Sequence, residues 1–155
     1  TNTITYSLDN DAGGLFAINS ATGEVTVNAA LDYETATSHT ITVRASSADG
    51  SASTQDFTVS VTDVNESGVS AISDSDAAAD TVLENTTVGT TVGVTAFASD
   101  ADATDTVTYS LTDDAGGRFA INAATGQVTV ADASLLDYET ATDHTITVQA
   151  ESYLM

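Results

Sequence analysis

The chain states one pattern of strands and turns twice. Residues 1–45 read TNTITYSLDNDAGGLFAINSATGEVTVNAALDYETATSHTITVRA, and residues 104–150 read TDTVTYSLTDDAGGRFAINAATGQVTVADASLLDYETATDHTITVQA. The offset is 103 at Tyr109 against Tyr6 and 105 at Tyr138 against Tyr33, so two residues are inserted in between. A period of about one hundred residues exceeds solenoid repeats and matches a small domain. The division expected is therefore one repeat over 1–66 and a second over 67–155. Repeat one has no counterpart of residues 67–103, and repeat two none of DGSASTQDFTVSVTDVNE (residues 49–66). The expectation is a stretch of a longer array, or a subunit whose gaps neighbouring chains fill.

Period-two alternation runs through both copies. Ile4, Tyr6 and Leu8 alternate with threonine and serine, as do Phe16 with Ile18 and Val25 with Val27. His39, Ile41 and Val43 continue it, followed by Phe57, Val59 and Val61. Alternation with β-branched neighbours describes strands with one buried face. Ala21-Thr22-Gly23 and Ala124-Thr125-Gly126 separate two such runs each, which predicts a hairpin in each copy. Short strands punctuated by turns predict an all-β sandwich of about seven strands per complete repeat. The core expected in repeat one is Tyr6, Leu8, Phe16, Ile18, Leu31, Ile41, Val43, Phe57, Val59 and Val61.

Charge narrows the function. There are 23 acidic residues against two basic ones, Arg44 and Arg118, a formal charge of -21. Nucleic acid is excluded, because its binding rests on cationic contacts to phosphate. An anionic membrane surface is disfavoured for the same reason, and no apolar run reaches the ~20 residues of a membrane span. With no cysteine, neither disulfides nor thiolate metal sites are available.

The carboxylates cluster where strands should end. Leu31-Asp32-Tyr33-Glu34 recurs as Leu136-Asp137-Tyr138-Glu139. The other motifs are Asp63-Val64-Asn65-Glu66, Asp100-Ala101-Asp102 and Glu84-Asn85-Thr86. Hard divalent cations such as Ca²⁺ take six to eight oxygens, and several short acidic motifs can supply them together. Asp9, Asp11, Asp113 and Asp114 read as ordinary turn residues, and Asp74, Asp76 and Asp80 as solvated loop. His39 and His144 open equivalent strands and read as structural. No Ser/His/Asp constellation stands out. Paired carboxylates could cleave glycosides, but identical pairs in tandem domains suit a scaffold, so no catalytic residue is assigned.

In the VTYSL strand, the FAIN…ATG hairpin, LDYE, the HTITV strand, DVNE, ENT and DAD, the chain resembles cadherin repeats. The form it resembles is that of very large bacterial surface proteins, and the likeness covers essentially the whole chain. The resemblance implies tandem Greek-key β-sandwiches with calcium bound where successive repeats join. By that resemblance Asp32 and Glu34 supply the base of repeat one, and Asp63, the Val64 carbonyl, Asn65 and Glu66 the linker. Asp100 and Asp102 come from the top of repeat two, while Glu84, Asp137 and Glu139 serve a further junction. The family linker usually carries aspartate where Glu66 stands, soon followed by proline; here Ser67-Gly68 follows. The family also tends to place an aspartate where Ser47 and Ser152 stand, so one or two ions per junction are implied rather than three.

The function implied is a calcium-stiffened structural and adhesive segment of an extracellular surface protein or filament, in a bacterial or biofilm setting. Its partners are adjacent repeats or copies of itself. The alternative is a carbohydrate-binding module taking surface glycans, within a secreted polysaccharide-degrading system. Sugar sites present aromatic platforms, whereas this chain has no tryptophan and most of its five tyrosines and four phenylalanines fall in core phase.

Overall fold

The computed structural model describes all residues except 1, 103 and 155, and of residue 154 only the backbone. It forms two compact units, Thr1–Val64 and Asn65–Met155. Both are all-β. A single 3-10 turn, Ala133–Leu135, is the only helical element among the described residues, and the Asp132 carboxylate caps it.

In the first unit the strands are β1 (Ile4–Asn10), β2 (Phe16–Ile18), β3 (Val25–Val27), β4 (Ser38–Ser47) and β5 (Ala52–Ser60). β4 lies between β1 and β5 in an antiparallel sheet, with Ile41 opposite Phe57 and His39 opposite Val59. β2 and β3 form the predicted hairpin, Phe16 opposite Val27. Asn19 organises its turn, its Oδ1 accepting from the amides of Ala21 and Thr22. The Tyr6 amide donates to the Ser20 carbonyl at 2.9 Å, tying the hairpin to β1. Phe16 and Ile41 are the buried apolar residues of this unit.

The second unit holds β6 (Ser73–Asp74), β7 (Thr91–Phe97), β8 (Asp105–Asp113), β9 (Phe119–Ile121), β10 (Gln127–Val130) and β11 (Thr147–Leu154). One sheet runs β6-β7-β10-β9, and β11 pairs with β8. The equivalent bonds recur: Asn122 Oδ1 takes the Ala124 and Thr125 amides, and the Tyr109 amide donates to Ala123 at 2.9 Å. The core is fuller here. Val92, Phe119, Val128, Val130 and Leu136 form one buried cluster, and Ala96, Ala98 and Tyr109 a second. The histidines pack as expected of structural residues: His39 stands edge-on to Phe16 at 6.0 Å, and His144 is tilted against Phe119 at 6.2 Å.

Two expectations are corrected. Phe57, assigned to the core, is 51% exposed. In the second unit β7 lies beside β10, but among the described residues the matching edge of β3 in the first unit carries no such strand. Phe57 lines a hollow with Tyr6, Phe16, Val25, Ile41 and Val59. Asp9 is not a turn former: Arg44 Nε reaches its two carboxylate oxygens at 2.8 and 2.9 Å. That ion pair, with the guanidinium donating, holds the Asp9 carboxyl below its ordinary range. Asp11, Asp113 and Asp114 do accept turn amides, from Gly14, Ala115 and Gly117.

The hairpin glycines separate two effects. Gly23 and Gly126 both have positive φ, 77° and 72°. A Cβ on Gly23 would meet the Tyr6 ring at 3.3 Å, whereas one on Gly126 would lie 2.0 Å from the Ala96 carbonyl oxygen. Gly23→Ala should cost about 1–2 kcal/mol for the left-handed conformation alone. Gly126→Ala should cost more, upwards of about 2 kcal/mol, because the β7–β10 ladder must also shift. Chemical denaturation of the two variants measures the difference; equal losses would contradict the close approach.

Asp49, in the β4–β5 turn, accepts from the Ser51 hydroxyl at 2.6 Å, the Ser51 amide at 2.9 Å and the Asn2 side chain at 2.8 Å. The Ser51 hydroxyl is the main cause, and the carboxyl falls from 3.8 to about 2. A depressed pKa in the folded state means that protonation favours unfolding. The turn's contribution is present above ~4 and is lost as pH falls toward 2. NMR titration should place the Asp49 midpoint near 2; an ordinary aspartate midpoint would refute the bonding described.

Candidate functional site

The acidic motifs sit in loops whose own hydrogen bonds fix them. In the first unit Asp32 follows β3, and its carboxylate accepts the Thr35 amide at 3.2 Å and the Thr35 hydroxyl at 2.7 Å. That hydroxyl is the main reason its pKa lies below the usual value. Glu34 is exposed two residues on, Asp63 is half-buried, and Val64 is exposed at the unit's edge.

In the second unit the repeated motif is met by a residue distant in sequence. Asp137 accepts from the Thr140 hydroxyl at 2.8 Å and the Glu139 amide at 3.1 Å. The Thr140 hydroxyl is again the chief cause of its lowered pKa. Glu84 arrives from the turn before β7, where Asn85 takes a left-handed φ of 49°, and accepts the Tyr138 amide at 2.9 Å. One carboxylate oxygen from each of Glu84, Asp137 and Glu139 lies within 4.8 Å of the others.

A second triad forms between β7 and β8. Asp100, Asp102 and Asp105 also bring carboxylate oxygens within 4.8 Å of one another. Asp102 is only 3% exposed. Its Oδ2 takes the Ser67 amide at 2.9 Å and the Glu66 amide at 3.2 Å, and its own amide donates to Asp100 Oδ1 at 3.1 Å. Asn65 donates to Asp105 Oδ2 at 2.6 Å. The linker residues Asn65, Glu66 and Ser67 are thus bonded to the loop holding this triad. Ser152, which stands where the family tends to carry aspartate, donates its hydroxyl to Asp100 and holds that carboxyl below its ordinary range.

Asp105 escaped the sequence reading. It is the third acid of DADATD and opens β8, so it reads as the start of a strand. Only the loop's return toward Asn65 reveals its company. Both triads consist of carboxylate oxygens, with no nitrogen or sulfur donor among the three residues of each. Such a donor set suits hard cations of the Ca²⁺ or Mg²⁺ type.

Asp102 is expected to matter without any ion. Asp102→Ala removes the acceptor of two backbone amides and should destabilise the second unit by roughly 1–3 kcal/mol in chelator. Denaturation in excess chelator measures this; no loss there would mean that the bonds to Glu66 and Ser67 carry nothing.

The cadherin-domain family profile matches residues 1–62 and 80–153. Protocadherin Fat 4 of Homo sapiens is 38% identical over 152 residues, 95% of this chain and 3% of that protein. Protocadherin Fat 4 of Mus musculus is 37% identical over 140 residues, 88% of this chain and again 3% of the relative. The chain therefore spans only a small fraction of these relatives. Among solved structures, mouse cadherin-23 EC22-24 superposes with a TM-score of 0.77 at 32% identity, covering 97% of this chain and 47% of that one. The protocadherin GammaB4 extracellular domain gives 0.73 at 22% identity, a likeness of fold, over 97% of this chain and 24% of the other. These relatives are animal proteins, so the bacterial setting expected above gains no support from them. None of them supports the glycan-binding alternative.

Proposed function

The chain belongs to the cadherin family, and from that premise we propose that it is a calcium-binding, adhesive segment of a larger extracellular protein. It acts as scaffold rather than enzyme. Ca²⁺ held by carboxylates from successive repeats limits their relative motion, and adhesion runs through neighbouring repeats or further copies of the chain.

The observation that carries this reading is the Glu84–Asp137–Glu139 triad. Three carboxylates drawn from a turn before β7 and a loop after β10 share one site. The second unit has one arginine and no lysine, and the Arg118 guanidinium donates to the carbonyls of Ala115 and Leu135. Like charges so placed favour taking up a cation. Asp32, Glu34, Asp63, the Val64 carbonyl, Asn65, Glu66, Asp100 and Asp102 are proposed as the further ligands, with Asp105 added to them. With the Ser152 hydroxyl beside Asp100 in place of another carboxylate, the set around Asp100 is poorer in charge and suits fewer ions.

Calorimetric titration with calcium tests the proposal. Binding should fall in the range of extracellular modules, about 10⁻⁴–10⁻³ M, or tighter where ions bind together. Glu84→Ala and Glu139→Ala should each weaken the ion at that triad at least tenfold while far-ultraviolet circular dichroism stays unchanged. For stiffening, small-angle scattering of a protein with both repeats complete should show a longer, narrower particle in calcium than in chelator. Absence of binding at millimolar calcium would overturn the calcium reading; binding without change of length would overturn the stiffening alone.

A further inference from the structure

Of the chain's seven asparagines, six use their side chains to hold the fold. Asn2 donates to Asp49, Asn10 to the Thr40 carbonyl, Asn28 to the Gly14 carbonyl and Asn65 to Asp105. Asn19 and Asn122 accept the amides of their hairpin turns. Asn85 does none of this. It is exposed in the turn before β7, and among the described residues its side chain has no hydrogen-bond partner. It also heads the triplet Asn85-Thr86-Thr87, and Asn65-Glu66-Ser67 is the other Asn-x-Ser/Thr triplet of the chain. In a secreted protein such a triplet, with no proline in the middle, is the acceptor of N-linked glycosylation.

We propose that Asn85 is a carbohydrate-attachment site, a place where this extracellular chain carries a glycan rather than binds one. The donor is an oligosaccharide linked to a polyisoprenyl diphosphate, transferred during secretion. Asn85 Nδ2 attacks the anomeric carbon, and the bond from that carbon to the diphosphate oxygen breaks, its electron pair leaving with the diphosphate. The proton lost from Nδ2 passes to a base of the transferase. Thr87, whose hydroxyl completes the triplet, is exposed as well. Leu83 is 83% exposed and Val88 67%, so apolar side chains on the same loop stand ready for the face of a first sugar ring. Asn65 shares the triplet but not the freedom. Its Nδ2 already serves the Asp105 carboxylate at 2.6 Å, and a sugar on that nitrogen would crowd the acidic loop. Asparagine also suits a left-handed turn for its own sake, as at the φ of 49° here. The experiment separates that role from glycan attachment.

The whole chain is sent through the secretory route of cultured animal cells behind a cleavable leader, and its intact mass is read before and after treatment with a peptide N-glycosidase. The secreted chain should carry the added mass of an oligosaccharide, lose it on treatment, and yield aspartate at position 85 in the peptide map. Asn85→Gln and Thr87→Val should each abolish the added mass, while Thr87→Ser and Asn65→Gln keep it. Far-ultraviolet circular dichroism should be the same for all four variants, which separates loss of the acceptor from loss of the fold. An unmodified Asn85 in the folded, secreted chain would overturn the proposal and leave the residue as a turn former. A glycan confined to Asn65 would overturn it equally.

Discussion

Everything in this molecule depends on a two-layer requirement. A sheet with alternating side chains is stable only when a second layer covers its apolar face. The second unit meets that requirement where Leu111 of β8, with Ile146, packs against Val92, Phe119, Val128 and Val130 of the β7-β10-β9 sheet. The first unit meets it in part, and its buried apolar residues are Phe16 and Ile41. The two copies share their turns nearly atom for atom, so the contrast is not one of local sequence. It comes from which strands flank each copy. Hairpin geometry is written into the chain locally, whereas burial depends on strands that arrive from elsewhere.

The acidic sites follow from the same division. Each carboxylate is first oriented by its own loop, as Asp32 is by Thr35 and Asp137 by Thr140. The sheet then brings loops together, which is how Glu84 meets Asp137 and Glu139. Repulsion among these oxygens is thus built in by elements that gain their stability from apolar burial and strand pairing. The folding of the second unit thus sets like charges side by side at both triads.

The strands and hairpins were legible because period two and the Ala-Thr-Gly turns are local signals. The motifs that mark the family were legible as well, since they fall at fixed places in a duplicated pattern. What escaped were features set by register. Asp9 reads as a turn residue until β1 pairs with β4 and brings Arg44 to it. Asp105 reads as a strand start until Asn65 reaches its carboxylate. Phe57 has the alternation of a core residue but none of the cover, because alternation states which face a side chain takes and not whether that face is closed.

Tyr109 links the apolar and acidic halves of the second unit. Its hydroxyl accepts the Ala98 amide at 2.9 Å and donates to the Ala98 carbonyl at 3.2 Å, so a side chain supplies the rung that follows the end of β7. Asp100 stands two residues further on. The acidic loop therefore departs from a backbone position that a buried phenol has fixed. Shape in the core is transmitted into charge at the surface through one residue's two backbone groups. A substitution at Tyr109, far from the carboxylates by its type, is in effect a change to the footing of the acidic loop, and it would be felt in the placement of Asp100 and Asp102 as much as in the core.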